Sequence, residues 1–454
     1  MNTTECVLRS SRVVTPDGVV PADVWIADGR IAQVVAPGSG SLDDGEITDV
    51  GDLAILPGLV DSHVHVNDPG TDWEGFETAT SAAAAGGITT IIDMPLNSLP
   101  VTCTTDALTQ KKEAAEGNAR VDYGFWGGVV PGNLDQLSDL AAARVRGFKC
   151  FLIDSGLSEF PPIGGADLRE AMRMIAEHDS VMLVHAELPG PIDAVSEWIP
   201  ESSTSHDDWL ASRPAAAEVE AVRLVIEASR ETGCPAHIVH VSAAESLVVL
   251  REARAQGVRV TAETCPHYLA FSSEDIPDSA TAFKCAPPIR GEGNRELLWT
   301  GLGDGDLDLI ASDHSPCPPA MRGGGDFFSG WGGIASLQLS LSAVWTEAGA
   351  RGHDLSALAH WMSEAPARLA GLGERKGRIE PGYDADLVIF DPEAEFVVQG
   401  SALHHRHPMT PYDGRRLRGV VQRTYVRGQT VYADGALVGS PIGATLLDAR
   451  SPIV

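Results

Sequence analysis

The sequence has few cysteines, and their spacing argues against two kinds of stabilising site. Its 454 residues include seven cysteines, an odd number, which are widely spaced and form no Cys-x-x-Cys pair. A disulfide framework and a structural zinc knuckle both depend on paired cysteines, so we expect neither. The pattern is typical of a reducing compartment, and we predict a cytoplasmic protein.

Positive charge and long apolar runs are also scarce. There are 33 lysines and arginines against 63 aspartates and glutamates, which gives a formal net charge of -30. Such a chain is a poor partner for nucleic acid or anionic membranes, and it suits a small ligand that enters a local site. Because no apolar run of about 18 residues and no basic-plus-apolar leader pattern occur, we predict neither a membrane span nor a signal peptide.

The chain does contain a repeated alternation of apolar β runs and helical segments. Residues 5–50 hold short alternating stretches between Gly, Pro and Asp turns, eight strand–helix units follow from residue 53, and the period-2 pattern returns after Pro381. Eight such units predict an α/β fold, a (β/α)8 barrel of the TIM type. The predicted barrel strands lie at residues 59–63, 88–94, 121–130, 147–153, 181–187, 236–241, 258–264 and 307–312.

Three segments are therefore predicted. Residues 1–54 and 381–454 form the two parts of a small β-sandwich domain, residues 55–380 form the barrel, and residues 440–454 are expected to be a loose tail. The alternative is an open doubly wound sheet, but no Gly-x-Gly-x-x-Gly turn follows the first strand to support a dinucleotide site.

Two histidines end the first predicted barrel strand. Side chains alternate along a strand, so His63 and His65 point to the same side, which is the interior if the barrel closes. Two imidazoles at the C-terminal end of a barrel strand can hold one metal ion. Alone, the His-x-His pair is a weak signal, and two core or solvated histidines would explain it equally well.

Further polar residues mark the ends of other predicted strands. Lys149 lies inside the fourth strand, His185 and His240 end the fifth and sixth, and Asp313 ends the eighth. Each could be a buried structural residue, but their joint placement at one rim favours a site. Burial should lower the pKa of Lys149, and a neutral amine can react with carbon dioxide to give a bridging carbamate.

These residues predict two divalent metal ions. One would be held by His63, His65 and Asp313, the other by His185 and His240, with carbamylated Lys149 bridging them. Such donors suit zinc, although cobalt, manganese or iron use the same ligands. The expected reaction is hydrolysis of an amide-like bond, in which Asp313 acts as general base and then as general acid.

The remaining histidines are interpreted as structural or solvated. His237 points away from His240 by strand parity, and we predict a structural role for it. The histidine-rich segment 404–407 is predicted to be a solvated loop.

The motifs resemble those of the cyclic amidohydrolases of the amidohydrolase superfamily, a group that includes allantoinases, dihydroorotases and hydantoinases. The resemblance lies in residues 57–65, 147–149, 240–242, 265–268, 312–314 and 377–388. It implies a barrel with a β-sandwich, a carbamylated lysine and a bi-metal centre on the same six positions. It also implies a homo-oligomer, since members of this family are mostly tetramers.

Within that family the sequence is most similar to the allantoinases, through residues 73–78, 94–97, 313–319, 330–334 and 411–415. The resemblance implies ring opening of allantoin to allantoate in purine catabolism, with Asn97 and the main chain at Ala286 holding the ring or its ureido arm. Two alternatives remain open: a hydantoinase-like enzyme for another cyclic ureide or imide, and a non-catalytic scaffold of the same fold.

Differences from the sister families support this assignment. Dihydroorotases carry an arginine and a histidine for a substrate carboxylate where this chain has Asn67 and Cys317. Neither residue can neutralise an anion, so a carboxylate-bearing ring is disfavoured. Hydantoinases place a tyrosine as oxyanion donor where this chain has Asp154.

Overall fold

Eighteen strands and thirteen α-helices occur in the part of the chain that a computed structural model describes, residues 6–39 and 46–447. The strands are Cys6–Thr15 (β1), Gly18–Ala27 (β2), Arg30–Val35 (β3), Glu46–Asp49 (β4), Ala54–Pro57 (β5), Leu59–Val64 (β6), Ile88–Asp93 (β7), Asp122–Phe125 (β8), Gly127–Gly128 (β9), Phe148–Phe151 (β10), Met182–His185 (β11), Ala236–Ile238 (β12), Val260–Thr264 (β13), Leu309–Ile310 (β14), Leu387–Val397 (β15), Arg416–Val426 (β16), Gln429–Ala433 (β17) and Ala436–Leu437 (β18). The helices are Phe76–Ala85 (α1), Thr105–Ala115 (α2), Leu137–Ala142 (α3), Gly165–Ala176 (α4), Pro189–Asp193 (α5), His206–Ser212 (α6), Ala215–Thr232 (α7), Glu245–Ala255 (α8), Pro266–Ala270 (α9), Glu292–Asp304 (α10), Ser340–Ala350 (α11), Leu355–Ala359 (α12) and Ala365–Leu369 (α13).

Strands β6 to β14 form the barrel. All of their pairings are parallel, in the orders β6-β7-β8 and β14-β13-β12-β11-β10-β9. A parallel bridge between Val64 and His314 joins the first strand to the chain just after the last. Each predicted barrel strand has a counterpart, although the predicted strand 121–130 is divided into β8 and β9 at Trp126. The predicted fold class is confirmed.

Helix α7, which packs against the barrel, is amphipathic. In α7, buried side chains recur every three to four residues, at Ala217, Ala221, Val225 and Ala228. Pro214 precedes its first turn, and Gly233 ends it with a φ of 71°, a conformation that glycine adopts without steric cost. None of the helices in residues 6–39 and 46–447 combines the length and hydropathy needed to cross a membrane.

A second sheet is built from both ends of the chain. Its strand order is β18-β17-β16-β15-β5-β1-β2-β3, and β4 pairs with β1. Antiparallel pairing of β15 with β5, in which Leu387 lies opposite Pro57, joins the two halves. Inner side chains from both halves, including Leu8, Val24, Ile55 and Leu387, form one apolar cluster. The sheet therefore has the bipartite origin that the sequence predicts, and it includes Ala54–Pro57.

The segment after β18 corrects one prediction. Gly443 N donates to Ala119 O at 2.8 Å, and Leu446 N donates to Tyr123 O at 2.7 Å, which adds an extended strip to the edge of β8. Leu446 is 1% exposed. The prediction of a loose tail is wrong for residues 440–447, because main-chain bonds and a buried leucine fix them. Residues 448–454 lie outside the described part of the chain.

Candidate metal centre

One cavity lies at the C-terminal ends of the barrel strands, where such barrels place their chemistry. Its volume is about 390 Å³. Every residue that the sequence singles out for the site lines it: His63, His65, Asn97, Lys149, His185, His240, Ala286 and Asp313. Strand parity and strand ends predicted the six proposed metal ligands, whereas Asn97 and Ala286 were predicted from the family resemblance.

His63, His65 and Asp313 form the first group. Their potential ligand atoms lie within 4.8 Å of one another. Asp313 Oδ1 is 3.1 Å from His63 Nε2 and 3.4 Å from His65 Nε2. Burial alone would raise the pKa of Asp313, but the neighbouring imidazoles outweigh it and hold that pKa well below its ordinary value. The carboxylate is therefore ionised, as a metal ligand must be.

His185 and His240 form the second group. Their rings are nearly perpendicular, at 75°, with centroids 4.6 Å apart. Burial lowers the pKa of both side chains, which favours the neutral imidazole that ligates metals. The buried Nδ1 of His240 has no hydrogen-bond partner within residues 6–39 and 46–447. A buried polar atom without a partner is costly, so this ring fits a site that holds a further ligand.

Lys149 lies on β10 and lines the same cavity. Its side chain is 1% exposed, and no carboxylate within the described residues lies close enough to pair with it. Burial lowers the pKa of Lys149 to about 8. About a tenth of the amine is then neutral at pH 7, and the neutral amine is the form that carbamate formation requires.

Two buried glutamates orient these ligands, and the sequence reasoning missed both. Glu263 accepts from His63 Nδ1, and Glu187 Oε2 lies 2.9 Å from His185 Nε2. Carboxylates that hold the second ring nitrogen are a common feature of metal-binding histidines. A signal was available, since Glu263 is a charged residue in an apolar strand run and Glu187 shares the strand face of His185.

A basic wall of the cavity was also missed. Arg213 and Lys284 line the cavity, and both cations lie against the ring of Trp209, with Arg213 Cζ 4.9 Å and Lys284 Nζ 4.2 Å from its centroid. Asn67 and Cys317, which carried the argument about substrate charge, are buried outside the cavity lining. The site therefore contains cations that those two positions did not reveal.

A second acidic cluster has a different role. Asp122, Asp384 and Asp386 also lie within 4.8 Å of one another. Lys376 Nζ sits among them, 2.8 Å from Asp122, 3.2 Å from Asp384 and 2.5 Å from Asp386. The ammonium occupies the position that a cation would take, so the cluster is a structural ion-pair network. By donor chemistry, the cavity residues fit metal ions and this cluster does not.

The segment 404–407 corrects another prediction. His405 is 4% exposed and its ring centroid lies 5.7 Å from that of His314. Arg406 N donates to Glu74 Oε1 at 3.0 Å, and Glu74 Oε2 lies 3.2 Å from His314 Nε2. The prediction of a solvated loop is wrong for His405, which is buried beside His314, the residue that follows Asp313, whereas Arg406 is exposed.

The comparisons with known proteins agree with this geometry. The model of the amidohydrolase family matches residues 54–431. The chain belongs to the amidohydrolase family. The predicted resemblance is thus confirmed, and this family uses a binuclear metal centre.

Several relatives align with nearly the whole chain. An allantoinase of Streptomyces avermitilis is 47% identical, with 96% of this chain and 97% of that protein covered. An allantoinase of Saccharomyces cerevisiae is 46% identical, with 89% and 88% covered. One from Arabidopsis thaliana is 41% identical, with 97% and 90% covered.

Solved structures of related amidohydrolases share the fold. The L-hydantoinase (dihydropyrimidinase) from Arthrobacter aurescens has a TM-score of 0.92 at 31% identity, with 97% of this chain and 99% of that chain covered. The dihydropyrimidinase from Brevibacillus agri has a TM-score of 0.90 at 28% identity, with 99% of both chains covered.

Proposed function

We propose that this amidohydrolase hydrolyses allantoin to allantoate. The observation that carries the proposal is the alignment of allantoinases at 41–47% identity with 89–97% of the chain. The structure of the site supports the proposal, because the side chains that could ligate two metal ions all line one cavity of about 390 Å³. That volume suits a small ring rather than a polymer.

The proposed metal ligands are the five residues of the two groups together with Lys149. Two divalent ions would supply Lewis acidity and an activated water at neutral pH. Asp313 accepts the proton of that water and returns it to the leaving ring nitrogen. Glu263 and Glu187 fix the rings of His63 and His185.

Asn97 and the main chain at Ala286 are proposed to hold the ring or its ureido arm. Asn97 Nδ2 lies 3.3 Å from His65 Nδ1, which places the side chain beside the first group. The buried Oδ1 of Asn97 has no partner in the described part of the chain. It is therefore available to accept an N–H of the substrate.

The test is turnover of allantoin by the purified protein, before and after chelation and zinc reconstitution, with hydantoin and dihydroorotate in parallel. We expect chelator-sensitive, selective opening of allantoin. Opening of a different ring would retain the fold and the metal centre but overturn the substrate. No turnover of any ring by metal-loaded protein would favour the scaffold alternative.

The bridging role of Lys149 has its own test. Removing its amine in Lys149→Ala should abolish binding of the two metal ions, so metal content should fall and turnover should be lost. A variant that kept full metal stoichiometry and activity would contradict the carbamate bridge. The matched control is Lys112→Ala, which removes a lysine of α2 that does not line the cavity.

A hydantoinase-like reaction on another cyclic ureide is the second candidate. It is favoured by the TM-score of 0.92 with the L-hydantoinase structure.

We further propose zinc as the metal, a cytoplasmic location and a homotetramer. The donor types support zinc, the wide spacing of the cysteines without a Cys-x-x-Cys pair supports a reducing compartment, and family resemblance supports the tetramer.

A further inference from the structure

Arg213 stands at the edge of the cavity with a fixed orientation. It follows α6, and its Nη1 donates to Glu187 Oε2 at 2.7 Å. The guanidinium also lies over the ring of Trp209, 4.9 Å from the centroid. Its side chain is 18% exposed, and the residue lines the cavity. A charged, planar donor with two fixing contacts thus lines the cavity.

The neighbouring cation has a different use. Lys284 Nζ donates to Phe328 O at 3.3 Å and also to Gly330 O, while Lys284 O accepts from Gly333 N at 2.8 Å. Lys284 therefore fixes the loop around Gly330. A guanidinium offers five N–H donors, and Glu187 takes one of those of Arg213. Two carbonyl oxygens take two of the three N–H donors of Lys284, so Arg213 is the cation of this wall with more donors left for a ligand.

The position of Arg213 relative to His185 limits what it can contact. Glu187 Oε2 lies 2.9 Å from His185 Nε2 and accepts from Arg213 as well. Arg213 is therefore on the Nε2 side of the imidazole, whereas Nδ1, on the other side of the ring, is left for a metal. The guanidinium therefore lies beside the proposed metal centre, on the side of His185 away from the nitrogen that is left for a metal.

We infer that Arg213 recognises the ureido arm of the substrate by donating N–H groups to its carbonyl oxygen. This inference rests on the proposed function. In allantoin the arm is attached to the ring carbon next to the carbonyl that becomes the carboxylate, so it projects beside the reacting bond. A planar guanidinium suits a planar urea oxygen, and a stem held by Glu187 and Trp209 loses little freedom on binding.

The experiment compares Arg213→Lys with the wild type, using two ligands. Allantoin carries the arm and hydantoin is the same ring without it, so hydantoin is measured as a competitor of allantoin turnover and reports ring binding. Lysine keeps the charge beside Glu187 but lacks the fork of donors. We expect the KM for allantoin to rise about tenfold, which corresponds to about 1.4 kcal/mol. The Ki of hydantoin should change less than about twofold, given the lost donors touch the arm alone.

Controls separate recognition from support of the metal centre. Metal content is measured for each variant, and Arg213→Gln is a second variant if the lysine disturbs folding. Arg290→Lys is the matched control, because Arg290 donates to Arg213 O but does not line the cavity. Arg290→Lys should leave the ratio of the KM for allantoin to the Ki of hydantoin unchanged.

Two results would overturn the inference. Parallel weakening of allantoin and hydantoin would show that Arg213 acts through Glu187 and His185, and an unchanged KM would show that it does not bind the arm. Failure of the proposed function gives a different result, because the wild type itself would then not open allantoin.

Discussion

Glu263 contacts three histidines at the base of the site. It accepts from His63 Nδ1, lies 3.0 Å from His237 Nε2 through Oε2, and accepts from the main-chain N of His240 at 3.3 Å. Burial raises its pKa, but the charges and hydrogen bonds of the histidines outweigh burial and lower the pKa to about 2. One carboxylate thus positions ligands of both proposed ions.

We expect Glu263→Gln to weaken metal binding by about 10- to 100-fold. Glutamine keeps the shape but lacks the negative charge that orients the imidazoles. The measurement is metal content after titration with a competing chelator. Glu245→Gln, on the first turn of α8 and outside the cavity, is the control. Unchanged chelator resistance of Glu263→Gln would contradict the role.

Strand parity explains which site residues the sequence could reveal. His63, His185 and Asp313 end apolar runs, and a run that faces a barrel interior delivers its last polar residue to the rim. Arg213 follows a short helix and precedes Pro214. No periodicity fixes the direction of a loop side chain, so its place in the cavity depends on tertiary contacts with Glu187 and Trp209.

His206 predicts a pH dependence of stability. Its two ring nitrogens have no hydrogen-bond partner in the described residues, and burial lowers its pKa from 6.5 to about 4. The unfolded chain therefore binds a proton that the folded chain excludes, and stability falls as the pH drops from 6.5 toward 4. His206→Leu removes this proton linkage. The free energy of unfolding of the variant, relative to that of the wild type, should therefore rise by about 2 kcal/mol when the pH is lowered from 7.5 to 4.5. Urea unfolding of both proteins at both pH values measures this change. The same difference between variant and wild type at pH 7.5 and at pH 4.5 would contradict the prediction.

At the scale of elements, residues 440–447 fasten the terminal sheet to the barrel. Tyr123 N donates to Ala444 O at 3.1 Å, and Arg146 Nε donates to Leu446 O at 2.7 Å. Leu446 packs in the apolar cluster that contains Trp126. The strip thus joins the barrel sheet through its main chain and one side chain.

We expect Leu446→Ala to lower the free energy of unfolding by about 2–4 kcal/mol, because it leaves a cavity beneath the strip. Chemical denaturation measures the change. Val438→Ala is the matched control, since Val438 is 37% exposed and should change stability by less than about 0.5 kcal/mol. Similar effects of both variants would show that the strip carries no packing energy.

The elements show where sequence patterns stop being informative. Hydrophobic periodicity predicted the strands around His63 and Lys149 because each is a buried run with turn residues on both sides. It could not divide residues 121–130 at Trp126, whose Nε1 donates to Ser62 O at 2.8 Å. Nor could it predict that residues 440–447 are fixed, because they show no hydrophobic periodicity and are held by main-chain hydrogen bonds to the edge of β8.

For the whole molecule, the junction near Pro381 separates two parts that depend on each other. Lys376 lies before it, Asp384 and Asp386 lie after it, and the ammonium of Lys376 pairs with both of them and with Asp122 of β8. Pro381 itself is exposed. A cut at this turn would therefore give two fragments with complementary surfaces. One pair of surfaces would be the charged groups of the ion-pair network, and the other would be the strand edges of β5 and β15.

We predict that residues 1–380 alone are insoluble, because β5 keeps an unpaired edge, and that co-expression with residues 381–454 restores a soluble, active complex. Soluble yield and allantoin turnover are the measurements. Lys376→Met in the larger fragment should prevent recovery, since it leaves the buried carboxylate of Asp386 without its cation. Recovery in spite of that substitution would contradict the role of the ion-pair network.

The pairing of β5 with β15 also sets an order of events during synthesis. At roughly 5–20 residues per second, a ribosome finishes β15 tens of seconds after β5 has emerged. Throughout that interval the edge of β5 that Leu387–Val397 will cover is open to any other extended chain. Synthesis of the last sixth of the polypeptide therefore completes the fold, and crowded polysomes are where this protein is most exposed to misassembly.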